Sequence, residues 1–319
     1  MSSSSSSSSS IHDLLSPSED GAIRERREDR PKSGSPISGT TTHFTIELII
    51  DTICPHCYIG MKNLNAAIET HKARHPEATF ELVCSPLVLY PASMRSAHDK
   101  IPYYLHTHGG QSNLFETWSR VGSTLGINFS WGGRTGNTRD SHKLLRYALE
   151  RTPTTTPSTE LVQRQRRQTT TPPPPPPRTK MVSSSSSSPP SATKTALPLP
   201  RRGPALQMRL LEALFKGYFE HDRDVSDRGF LVEVGAAVGA GVKAFSAADV
   251  RRVLESEDWG AAVDMLSDEV RSRLQVDAVP TVIVNGLSLY GGWQKPELFV
   301  AEFERLRSGA AARRGMSAG

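Results

Sequence analysis

The sequence predicts an α/β fold in which a strand–helix–strand unit, a block of helices, and a hairpin followed by a final helix succeed one another. Three observations carry this. Two β-branched apolar runs, 44–50 and 79–86, flank a helical face at 55–74, the pattern of a β-α-β unit. Helical periodicity then dominates from about 98 to 275. Finally, the runs 281–285 (TVIVN) and 288–291 (SLYG) flank Asn285-Gly286, a pairing that favours a tight hairpin.

In the first unit, Phe44–Ile50 reads as a buried strand and Thr79–Pro86 as its parallel partner. Between them Ile59, Leu64, Ala67 and Ile68 share one helical face, and Pro55 stands at the first helical position, where no amide hydrogen is needed. The helical block reads from 98 to 150, closing with 140–150 (DSHKLLRYALE), and resumes over 206–219, 228–238, 247–255 and 259–274. A last helix is expected over 297–307.

Composition sets the limits of the folded part. Only 36% of the 319 residues are hydrophobic, against roughly 45–50% in an ordinary globular chain. The dilution is local. Residues 1–43 form a Ser-rich stretch too poor in apolar surface to offset the entropy of ordering. Residues 151–204 hold 13 of the 23 prolines, six of them consecutive, which enforces an extended polyproline path. That segment reads as a solvated insertion, or as a ligand for a proline-binding domain. Residues 308–319 are expected to be a disordered tail. The folded domain is thus 44–307, with a helical subdomain at about 98–275 interrupted by the insertion.

Charge follows the same division. The insertion carries nine basic residues against Glu160 alone, whereas 1–43 carries five against six acids, so the overall +5 leaves −2 for the rest. A mildly acidic domain offers no basis for nucleic-acid binding. No apolar run approaches the ~18 residues of a membrane span. The serine run at the N-terminus lacks the basic and apolar regions of a secretory signal, so the expected setting is cytoplasmic. Three cysteines exclude a disulfide-stapled scaffold.

Two of those cysteines carry the chemistry. Cys54-Pro55-His56-Cys57 follows the first strand and opens the first helix. Cys54 meets the positive end of the helix dipole and free backbone N–H groups, which favour a thiolate. Pro55 stiffens the turn, His56 when protonated adds positive charge beside the sulfur, and Cys57 is placed to resolve a mixed disulfide. A zinc knuckle would need a second Cys/His pair, and only Cys84 and scattered histidines remain. A haem-attachment site would need His where Tyr58 stands. No metal-ligand set is read. Val279-Pro280-Thr281 leads into the 281–285 run; with a cis bond at Pro280, the Val279 backbone can face an incoming extended peptide.

Together these features resemble the DsbA-like thioredoxin-fold proteins, most closely the FrnE-type branch. The resemblance rests on Asp51…Cys54-Pro55-His56-Cys57-Tyr58-Ile59-Gly60, Ser141-His142-Lys143-Leu144-Leu145, Glu212–Phe219 and Val279–Gly286, and spans nearly all of 44–150 and 205–307. It implies a thioredoxin fold with an inserted helical subdomain, Cys54 as nucleophile, Cys57 as resolving thiol, and Pro280 as a cis proline facing them. His56 stands where the FrnE branch more often has Trp, Gln275 and Ala278 stand where relatives often have glycine, and the insertion after Glu150 replaces a short connection. Related kappa-type glutathione transferases and chromene-carboxylate isomerases use serine near the Cys54 position.

The expected activity is therefore thiol–disulfide exchange with protein or glutathione mixed disulfides, with no cofactor beyond glutathione as co-substrate, and no nucleic-acid or membrane partner. The alternatives are a glutathione-dependent isomerase or transferase, and a non-catalytic chaperone or adaptor. Cys84 reads as a buried small hydrophobe, and His106, His108 and His142 as surface or supporting groups. Trp118, Trp131, Trp259 and Trp293 read as core or groove-wall residues.

Overall fold

The computed structural model describes residues 43–151 and 203–315. The expected N-terminal tail up to Thr42, the insertion from 152 to 202 and residues 316–319 lie outside the described residues. The chain runs β1 (His43–Ile50), α1 (Pro55–Arg74), β2 (Thr79–Pro86), β3 (His98–Asp99), α2 (Lys100–Thr107), α3 (Asn113–Thr124), β4 (Arg134–Thr135) and α4 (Arg139–Glu150). It continues with α5 (Pro204–Glu220), α6 (Arg228–Gly241), α7 (Ala247–Glu255), α8 (Glu257–Ser272), β5 (Thr281–Val284), β6 (Ser288–Gly291) and α9 (Pro296–Gly315).

The sheet order is β2-β1-β5-β6. β1 and β2 are parallel, with Phe44 opposite Phe80 and Leu48 opposite Cys84, so α1 must carry the chain back between them. β5 lies antiparallel to β1, Leu48 opposite Val282, and β6 antiparallel to β5. The β5–β6 hairpin forms as its sequence predicts. Asn285 and Gly286 take φ of 51° and 66°, and the Leu287 N–H donates to the Val284 carbonyl at 3.0 Å, the geometry of a type I′ turn.

Strand alternation divides the core. Phe44, Ile46 and Leu48 belong to the main apolar cluster, in which Phe44 meets Phe303 of α9 at 5.3 Å between rings. Ile49, one residue out of phase, packs instead with Leu87, Val270 and Val276. β2 is an edge strand, and α5 covers it: the buried Gln207 amide accepts from Cys84 N–H at 2.8 Å and donates to Cys84 C=O at 2.9 Å, in the manner of one more strand residue.

Two expectations change. The helical block is not purely helical, because β3 and β4 form a two-residue antiparallel bridge, His98 opposite Thr135. Arg134 secures it by hydrogen bonds to Ser96 C=O and Asp99, and two residues are too few to show a period-2 pattern. The last helix does not stop at Arg307 but continues to Gly315; Ala310, Ala311 and Ala312 are the strongest helix formers available there.

A buried ionic cluster ties the helices of the block together. Asp140 on α4 receives Lys143 at 3.0 Å, Arg228 of α6 at 2.7 Å and Arg95 at 2.9 Å. Burial alone would raise the Asp140 carboxyl, but the hydrogen bonds from Arg228 and Lys143 hold it below its ordinary value. Lys143, itself buried, also donates to Leu254 C=O at the end of α7.

Candidate active site

β1 delivers the chain to the site through Asp51, Thr52 and Ile53, all buried. Cys54 is the N-cap of α1, in an extended conformation (φ −89°, ψ 115°), and Pro55 is the first helical residue. The Cys54 N–H bonds to Asp51 C=O at 3.1 Å and the Cys57 N–H to Cys54 C=O at 3.0 Å. This turn puts both sulfurs at the start of the helix, whose first turn carries no acidic residue.

The two thiols are free and differ in setting. Cys54 is 7% exposed and Cys57 fully buried. Burial, reinforced by the hydrogen bond to Cys54 and the charges of Cys54 and Asp51, pushes the Cys57 thiol well above its ordinary value. Burial thus favours the neutral thiol at Cys57.

The residues expected at the substrate edge meet the cysteines. The Val279–Pro280 peptide bond is cis, and the Cys54 thiol donates to Val279 C=O at 3.6 Å. Pro280 is buried against α1. A side-chain carbon added at Gly60 would stand 3.0 Å from Pro280 Cγ and 3.6 Å from Trp293 Cα, so α1 needs glycine there for the two segments to approach. Sequence reading had placed Gly60 in the motif without giving it this task.

His56 departs from its expected state. The Trp118 indole of α3 donates to His56 Nε2 at 2.8 Å. An indole N–H can only donate, so Nε2 must be a lone-pair acceptor and the ring is neutral, with its proton on Nδ1. Burial, with His108 nearby, lowers the His56 pKa to about 4. The expected positive charge beside Cys54 is thus absent near neutral pH. A wall of rings encloses His56: Trp118 contacts His108 at 5.3 Å, Tyr104 at 5.7 Å and Trp131 at 5.3 Å between centroids.

Behind Cys57 lies a second polar group. Asp51 is completely buried, with Oδ2 accepting from Leu89 N–H at 2.8 Å. Its Oδ1 has no hydrogen-bond partner, and His142 Nε2, equally orphaned, stands 3.4 Å away. Of the three histidines read as surface or supporting groups, His142 is buried at this point and His108 is half-buried in the aromatic wall, whereas His106 is exposed. Cys84 is buried on β2, as expected of a small hydrophobe.

Residues 45–172 match the family model described as the DSBA-like thioredoxin domain. Among solved structures, a probable DsbA oxidoreductase from Streptomyces coelicolor is similar at 20% identity and a TM-score of 0.56, covering 83% of this chain and 90% of that one. That likeness supports the fold, a thioredoxin arrangement with a helical insertion. Weaker likenesses are a putative protein disulfide isomerase from Nitrosomonas europaea (11% identity, 85% and 98% coverage, TM-score 0.46) and a 2-hydroxychromene-2-carboxylate isomerase (13%, 86% and 99%, 0.46). No curated protein matches the sequence. Among the described residues no helix is long and apolar enough to cross a membrane.

Proposed function

We propose that this chain is a thiol–disulfide oxidoreductase that exchanges disulfides with protein or glutathione mixed-disulfide substrates, and that it belongs to the FrnE-type branch. The observation that carries the reading is the asymmetric dithiol: Cys54 at the helix N-cap beside the Val279 carbonyl, with Cys57 buried and protonated behind it.

The Cys54 thiolate attacks one sulfur of a substrate disulfide, forming a mixed disulfide and releasing the other half as a thiolate. Val279, freed of its contact with the Cys54 thiol, offers its carbonyl to the substrate backbone. Cys57 then loses its proton and attacks Cys54 Sγ. The products are a Cys54–Cys57 disulfide and the second substrate thiolate, with two electrons passed to the substrate. The charge of buried Asp51 helps to keep Cys57 protonated before that step, and the proton passes to the departing substrate thiolate. A thiol such as glutathione restores the dithiol by the reverse sequence, and no further cofactor is required.

Neutral His56 bears on the direction of flow. A pair becomes strongly oxidising when its reduced form is specially stabilised. With no imidazolium beside Cys54, that stabilisation is missing, which favours reduction or isomerisation of substrates. A cytoplasmic setting, where glutathione keeps thiols reduced, suits such a pair.

The test is turnover of insulin reduction by glutathione. Cys54→Ser is expected to abolish it, and Cys57→Ser to accumulate mixed disulfide with substrate. Wild-type turnover in Cys54→Ser would overturn the assignment. Full activity in Cys57→Ser would favour a glutathione-dependent transferase or isomerase instead.

A further inference from the structure

At the far end of α1, about 24 Å of helix from Cys54, three side chains of metal-ligand type converge. His71 lies in the last turn of α1 and His75 is the residue that caps its C-terminal end, its N–H donating to His71 C=O, and Glu304 reaches them from α9. His71 Nδ1 lies 3.4 Å and His75 Nε2 2.8 Å from Glu304 Oε1, and the three ligand atoms all fall within 4.8 Å of one another.

His71 makes this more than a hydrogen-bonded surface cluster. It is fully buried, ringed by Phe44, Phe80 and Phe303 at 5.4, 5.9 and 5.5 Å between centroids. Neither of its ring nitrogens has a hydrogen-bond partner. Orphaned buried polar atoms are rare and costly, and a missing ion is one recognised cause. Here Nδ1 points at a carboxylate oxygen that is itself partly open to water.

We propose that His71, His75 and Glu304 form a structural binding site for a divalent transition metal of the zinc class, with water as the fourth ligand. Two imidazoles and one carboxylate are a ligand set that zinc accepts. Ligands at ~2.0–2.2 Å from a tetrahedral ion stand ~3.4 Å apart, which is already the His71–Glu304 separation. Binding replaces the His75–Glu304 hydrogen bond, so that pair opens slightly. His75 Nδ1 faces Glu77 at 3.8 Å, the carboxylate–histidine–metal arrangement that orients a ligand ring. Arg307 already holds the second Glu304 oxygen at 3.2 Å. The ion would clamp the C-terminal end of α1 to α9, away from the redox chemistry.

Because Cys54 and Cys57 could themselves take zinc, the experiment uses the full chain carrying Cys54→Ser and Cys57→Ser, titrated with Zn2+ by calorimetry and by thermal melting. One ion per chain and a rise in Tm with added Zn2+ are expected. Adding His75→Gln, and separately Glu304→Gln, is expected to weaken binding by about tenfold or more and to remove the Tm rise. Both side chains are partly exposed, and circular dichroism verifies that the variants fold. Absence of binding in the parent protein, or binding that neither substitution weakens, would overturn the site.

Discussion

His56 is governed by a residue 62 positions away. Trp118 offers its indole hydrogen to Nε2, and an imidazolium cannot accept it. The residue between the cysteines is thus a neutral, oriented ring, and Trp118 acts as a positioning residue for the redox pair. Replacing it by Phe keeps the aromatic contact and removes the donor, which eases protonation of His56 against the burial and the neighbouring His108 that also hold its pKa down. The expected result for Trp118→Phe is a more oxidising Cys54–Cys57 pair, rising ~30 mV for each ~1.4 kcal/mol of added thiolate stabilisation. Equilibration with glutathione buffers of known ratio measures this. An unchanged potential would show that the His56 protonation state does not set it. The placement of Cys54, Cys57 and Pro55 at one strand–helix junction was legible from spacing alone, because that geometry is local. The state of His56 was not, because its partner lies on another helix.

Elements here meet at places where only hydrogen fits. On α5, a carbon added at Gly217 would lie 2.4 Å from Phe230 Cζ of α6. Gly217→Ala forces that ring or the helix to move, an overpacking cost of about 1–3 kcal/mol. Urea denaturation should show a lower midpoint with an unchanged slope, and Phe230→Leu in the same chain should recover part of the loss. Gly60 on α1 is the counterpart at the active site, where Pro280 takes the space. The helices themselves were readable from periodicity, since each needs only one apolar face. The β3–β4 bridge was not, because two residues carry no period, and neither was the use of Gln207 as a substitute strand at the sheet edge.

For the whole molecule, acid should act in two stages. His56 has a folded pKa of about 4 against an ordinary 6.5, so the unfolded chain binds the proton more readily between these values. Its stabilising contribution is complete above 6.5 and is lost as pH falls toward 4. Asp140, held below its ordinary 3.8 by Arg228 and Lys143, has the same sign at lower pH. Its contribution is present above 3.8 and disappears below it. Melting temperature against pH should therefore decline first below 6.5 and again below 3.8. His56→Phe should make the upper limb shallower, the remainder belonging to His108 and His71, which burial also lowers, and leave the lower limb unchanged. An upper limb unchanged by His56→Phe would assign it wholly to other groups.

What the sequence determined by itself was everything encoded at short range: the β-α-β unit, the runs of helix, the Asn285-Gly286 turn and the dithiol at a helix start. These depend on side-chain period, turn chemistry and the fixed reach of four consecutive residues. Tertiary structure alone decided what those parts face. It set Val279 against Cys54, buried Asp51 and His142 behind Cys57, neutralised His56 by burial and gave it the Trp118 donor, and closed Glu304 on His71 and His75. Each of these pairs joins residues distant in the chain. Their protonation and partners follow from burial and contact, which periodicity does not record.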